Sequence, residues 1–119
     1  MSPRHAIVVS QITHQGDDVN QTAHTGKLVQ PIKEDTTRGG RPVARLRVAF
    51  EATAPGRRDV HMDVRLYDEP ATALVAAAPP VGTTVAITGG LDRDEYQQGG
   101  QRTHSTYIVA TDVEVLATA

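Results

Sequence analysis

The chain has 119 residues, 12 basic and 14 acidic, for a formal net charge of −2, and it contains no cysteine. That length allows one domain with a modest core. The cysteine count excludes disulfides and thiolate metal sites, and the charge excludes an argument for nucleic acid from net electrostatics, leaving only local segregation of charge.

No apolar run has the length of a membrane span. The start, Met1 to His5 followed by Ala6 to Val9, is too short and turns polar too soon for a secretory signal. Ala6 to Ile12 is the first strand-like segment, and residues 1–19 are read as an N-terminal extension ahead of one domain over residues 20–119. His14 to Asp18 reads as a turn. Gln21 to Val29 is extended, with Gly26 inside it marking a bulge or a close backbone approach. Pro31 to Thr37 reads as a connector.

Gly39 and Gly40 mark a turn that feeds the clearest strand, Val43 to about Ala52, with Pro42 at its mouth. Its side chains alternate with period two. Ala44, Leu46, Val48 and Phe50 point to a core, while Val43, Arg45, Arg47 and Ala49 point away. The loop Ala54 to Arg58 turns the chain back. Val60 to Tyr67 alternates again, with Val60, Met62, Val64 and Leu66 inward and His61, Asp63, Arg65 and Tyr67 outward. Two adjacent alternating runs predict a curved antiparallel hairpin.

Asp68 to Ala78 reads as one short helix, with Asp68 as N-cap, Pro70 in the first turn, and Pro79-Pro80 as the stop. Thr84 to Thr88 is the next strand, running on through a bulge at Gly89-Gly90 to Leu91 and Arg93. Gln97 to Gln101 is a hairpin tip and Thr106 to Leu116 the last strand. The predicted class is therefore all-β: a five-stranded Greek-key barrel, closed to remove exposed edges, with its helix between the third and fourth strands. This is the OB-fold arrangement.

In this order the segments resemble the bacterial single-stranded DNA-binding protein (SSB) family. Gly26-Lys27-Leu28, followed by Pro31, is similar to the family's first strand, and Gly39 to Ala49 to its second. Asp63 to Tyr67 resembles the third strand, which ends in a hydrophobic-aromatic pair. Gly82 to Leu91 resembles the "G-x-x-V-x-V-x-G-x-L" of the fourth. Gly100 to Thr103 and Tyr107 to Leu116 resemble the close of a long hairpin and the fifth strand. The resemblance spans about residues 22 to 116.

The resemblance implies sequence-tolerant binding of single-stranded DNA, in replication, recombination and repair, by stacking bases on aromatic rings within a basic groove. Tyr67 and Tyr96 match the family's stacking aromatics, and His61 stands where the family often has tryptophan. With them, Lys27, Arg45, Arg47 and Arg65 are the phosphate candidates, and Arg57, Arg58 and Arg93 a second tier. The resemblance also implies a homo-oligomer, a tetramer or dimer, in the bacterial cytoplasm at the nucleoid. No membrane partner is expected.

The chain departs from the family in five ways, one being a lead-in, Met1 to Val19, longer than the family's usual one. It has no tryptophan, and it places Asp92, Asp94 and Glu95 beside Tyr96. It has a short loop Thr53 to Arg58, and no acidic C-terminal recruitment tail is expected. The scarce aromatics and the acidic hairpin support an alternative, an OB-fold assembly subunit with weak or lost nucleic-acid binding. A third reading is a primosome-type OB protein, which also binds single strands.

Bland readings stand beside these. Arg45 and Arg47 can pair with Asp63 across the hairpin. The five histidines (His5, His14, His24, His61 and His104) show no metal-ligand spacing. No nucleophile motif or phosphate loop marks an enzyme, so no catalytic residue, metal or cofactor is assigned.

Overall fold

The computed structural model describes residues 20–118. The expected strand Ala6 to Ile12, with His5 and His14, lies outside the described residues. Seven elements follow in order: β1 (Thr22–Leu28), β2 (Lys33–Thr36), β3 (Pro42–Phe50), β4 (Val60–Tyr67), α1 (Asp68–Ala77), β5 (Thr84–Gln98) and β6 (Gln101–Ala117). The sheet order is β1-β5-β6-β4-β3-β2, and β1 also pairs with β3. That last pairing closes a ring of β1, β5, β6, β4 and β3, with α1 between the third and fourth barrel strands. The expected OB-fold barrel is the observed one.

Closure depends on Gly26. It lies opposite Phe50 on β3 and Val85 on β5. A Cβ there would sit 2.5 Å from the Ala49 carbonyl oxygen and 2.7 Å from both the Phe50 ring and a Val48 methyl. Only a residue without a side chain lets the two strands approach this closely. Gly89 has the same role at the other seam. The register of β5 on β6 shifts between Thr88 and Gly89, and a Cβ at Gly89 would meet the Val109 carbonyl and lie 2.8 Å from Ala110 Cα. The bulge expected at Gly89-Gly90 is therefore present and re-aims β5.

The connector expected over Pro31 to Thr37 contains a strand. Residues Lys33 to Thr36 pair with Pro42 to Arg45 along the edge of β3 that β1 uses further on. The Val29 N–H donates to the Arg47 carbonyl at 3.0 Å between them, so β1 and β2 are two halves of one bent strand. All four β2 residues, Lys-Glu-Asp-Thr, are exposed. With no apolar alternation to read, backbone pairing alone makes this strand. The β2–β3 turn is closed by Thr37 N–H to Arg41 carbonyl (2.9 Å) and Gly40 N–H to Thr37 carbonyl (2.9 Å). Gly40 takes φ 85°.

The β3–β4 hairpin runs from Val43↔Tyr67 to Phe50↔Val60. Ala44, Leu46, Val48, Phe50, Val64 and Leu66 enter the core with Leu28, Val85, Ile87 and Ile108. Two positions depart from the alternation. Val60 is 54% exposed because it ends its strand beside the loop, and Val43, although outward, is only 3% exposed because Asp35 and Tyr67 flank it in register.

Helix α1 buries Ala71 and Leu74 against the barrel. Asp68 is not its N-cap. Tyr67 holds that position with extended backbone and no side-chain cap. Asp68 has φ 67°, and its carboxylate turns to Arg41 instead. The helix ends at Ala78, in the left-handed region, whose N–H reaches the carbonyls of Leu74 and Val75, both at 3.1 Å. Beyond the barrel, β5 and β6 continue as a ribbon turned by Gly99 (φ 61°) and Gly100 (φ 82°), as two-residue hairpins with paired glycines do.

Candidate nucleic-acid interface

Residues directly opposite each other in a sheet share a face, so the register places the candidate side chains. One row reads Lys27, Ala49, His61 across β1, β3 and β4. The next reads Arg47, Asp63, Tyr107, Asp92 across β3, β4, β6 and β5. A third reads Lys33, Arg45, Arg65, Val109 across β2, β3, β4 and β6. Val43 and Tyr67 form the fourth with Asp35. Successive same-face residues along a strand lie about 6.7 Å apart. Lys27, Arg45, Arg47, His61, Arg65 and Tyr67 therefore occupy one outer face of the barrel.

Tyr96 shares it by parity on β5 with Asp92 and Asp94. Its ring is 46% exposed on the ribbon. The parallel pairing of Asp63 with Tyr107 sends the ribbon past His61 in the direction of the loop carrying Arg57 and Arg58. Those two arginines are exposed at that end. Arg93 is not brought in. Its parity is that of Leu91 and Glu95, on the other side of the ribbon, and it pairs with Glu95 at 3.2 Å.

The face is basic but internally paired. Arg47 Nη1 donates to Asp63 Oδ1 at 3.0 Å. Arg45 does not share Asp63, as the sequence allowed. It faces Asp35 at 3.6 Å, a partner supplied by the unforeseen β2. Arg65 Nη2 donates to Asp94 Oδ2 at 2.5 Å, and its guanidinium lies 3.8 Å above the centre of the Tyr107 ring. Among the described residues, Lys27 and Lys33 have no carboxylate within ion-pair distance. A shallow cavity of about 220 Å³ lies among Gln30, Lys33, Arg45, Arg47, Asp63 and Arg65.

Four groups in and beside the face have altered proton affinity. Burial works against the Arg65 charge, but hydrogen bonds to Asp94 and Tyr67 outweigh it and raise its pKa. Burial pushes the Tyr107 hydroxyl up, with Arg65 opposing and Asp92 and Asp94 reinforcing. Tyr107 is only 8% exposed under Arg65. It is a support for Arg65 rather than a free stacking surface. Tyr67 has one ring face covered by Arg41 at 4.9 Å, which is held by Asp68 through bonds of 3.0 and 2.8 Å. The pairing with Asp68 raises the Arg41 pKa, and that with Arg41 lowers the Asp68 pKa.

Sequence reasoning missed Lys33 and Arg41. Lys33 lay in a segment without strand pattern. Arg41 stands among the arginines of the middle third, but no local pattern marked its approach to Tyr67. Phe50 is buried, as alternation predicted, with the His24 ring 4.9 Å away. The arrangement offers cations and flat rings on a curved sheet, with no group of three or more histidines or carboxylates placed to hold a metal ion among the described residues.

A search of curated protein sequences returned no match. Among solved structures, the chain is similar to a Plasmodium falciparum SSB in complex with ssDNA, with TM-score 0.73 and 18% sequence identity, over 87% of this chain and 99% of that one. At that identity the likeness is one of fold. The model of the single-strand binding protein family matches residues 19–116. With its barrel, helix position and long ribbon in that family's order, the chain belongs to the single-strand binding protein family.

Proposed function

We propose that this chain binds single-stranded DNA, without strong sequence preference and without catalysis, on the outer face of β1, β3 and β4 and the adjoining ribbon. The observation that carries the assignment to this face is the register, in which Lys27, Arg45, Arg47, His61, Arg65 and Tyr67 fall on one side of the sheet. Lys27, Arg45 and Arg47 meet phosphates. Tyr67, through the ring face that Arg41 leaves open, Tyr96 and His61 take bases. Arg57 and Arg58 lie at the end of the face and add charge to a longer strand. The bound ssDNA of the Plasmodium falciparum structure supports the reading, and family membership favours it over an assembly subunit that has lost nucleic acid. The proposal includes a homo-oligomer, dimer or tetramer, in the cytoplasm at a bacterial nucleoid, serving replication, recombination and repair.

Two variants test the face by anisotropy with a labelled oligo-dT. Tyr67→Ala is expected to weaken binding by ~1–3 kcal/mol on every sequence. Lys27→Gln is expected to reduce the slope of log K against log salt by about 0.7. Unchanged affinity and slope in both would remove this face from the binding site.

A further inference from the structure

We infer that Asp63 and Asp35 are built-in competitors for phosphate, holding Arg47 and Arg45 in a self-paired state that a nucleic acid must open. The inference rests on the proposed face. Each of its three arginines already has a carboxylate: Arg47 with Asp63, Arg45 with Asp35 and Arg65 with Asp94. A carboxylate and a phosphate oxygen present the same acceptor to a guanidinium. The two cannot both hold the same N–H groups.

The three pairs are not equivalent. Arg45–Asp35 is long, at 3.6 Å, with both side chains about half exposed. Arg47–Asp63 is 3.0 Å, with Asp63 more exposed than its arginine. Such water-exposed pairs are weak and exchange partners readily. Arg65–Asp94 is different. Its arginine side chain is 20% exposed, its bond is 2.5 Å, and the guanidinium is stacked on Tyr107. This pair joins β4 to the ribbon across β6 and stays closed, making Arg65 a positioning residue. Arg45 and Arg47 are the arginines that open.

The consequence is a damped response to salt. Phosphate binding releases counterions from the DNA, but salt also weakens the internal pair that binding must break. The two effects oppose each other. Removing the competitor leaves only the first.

The test is a double-mutant cycle on Arg47 and Asp63, by anisotropy with labelled oligo-dT at several salt concentrations. Asp63→Asn is expected to strengthen binding roughly two- to fivefold at low salt, with a steeper salt slope than the parent and convergence at high salt. Arg47→Gln is expected to cost more in the Asp63→Asn background than in the parent. Glu69→Gln, an equal charge change on α1 outside the face, is expected to shift binding less. If the parent binds and Tyr67→Ala weakens it, yet Asp63→Asn strengthens binding no more than Glu69→Gln and the cycle closes without coupling, the competitor inference is wrong while the face survives. If the parent binds no single strand at low salt, the face and the inference fall together.

Discussion

At the scale of single residues, alternation gave the direction of the side chains inside β3 and β4, apart from Val43 and Val60 at their ends, but not what they touch. Ala44, Leu46 and Val48 are buried as period two requires. The partners of Arg45 and Arg65 were not legible, because Asp35 and Asp94 come from a strand without apolar pattern and from a ribbon distant in sequence. Tyr107 was left open for the same reason, since its burial comes from Arg65 above it. Its raised pKa has a consequence for stability. The neutral phenol is favoured in the folded state, so its contribution is complete below the unfolded tyrosine pKa and is lost as pH rises through the higher folded value. Tyr107→Phe is expected to resist alkaline unfolding better than the parent, measured as denaturation midpoint against pH. Thr83 offers a second test. It is fully buried and its hydroxyl has no hydrogen-bond partner among the described residues. Thr83→Val keeps the shape and removes an unsatisfied group, so it is expected to stabilise by ~1 kcal/mol in urea denaturation. A loss of stability would mean the hydroxyl is satisfied.

At the scale of elements, the two seams of the barrel were readable as glycines inside strand pattern. Gly26 and Gly89 sit where a Cβ would meet backbone of the neighbouring strand. Gly26→Ala must push β3 away from β1, and a cost of ~1–3 kcal/mol is expected from overpacking, seen as a lower denaturation midpoint. The join between β4 and α1 was misread because an aspartate before a helix is usually a cap. Here Arg41, brought alongside by the hairpin, takes it. Asp68 has its pKa lowered by that arginine. The stability it contributes is present above the unfolded carboxylate pKa and is lost as pH falls through the lower folded value. Asp68→Asn, which tolerates the same left-handed backbone, is expected to be less stable than the parent near neutrality. The difference should close as the solution is acidified through the carboxylate range.

For the whole molecule, the order of first strand, hairpin, helix and long ribbon was legible because each boundary carries a chemical mark: Gly39-Gly40, Pro55-Gly56, Pro79-Pro80 and Gly99-Gly100. The basic face was legible as alternation, and its neutralisation by carboxylates was not, because pairing depends on which strands closure brings together. The charge is therefore spread so that Arg45 and Arg47 meet acids on their own surface. The most direct measurement of the central claim is a titration of the full chain with labelled oligo-dT and with a duplex of equal length, at low and moderate salt. Tighter binding of the single strand than of the duplex, weakened by salt, is the predicted result. Equal affinity for both, or no binding at low salt, would contradict it.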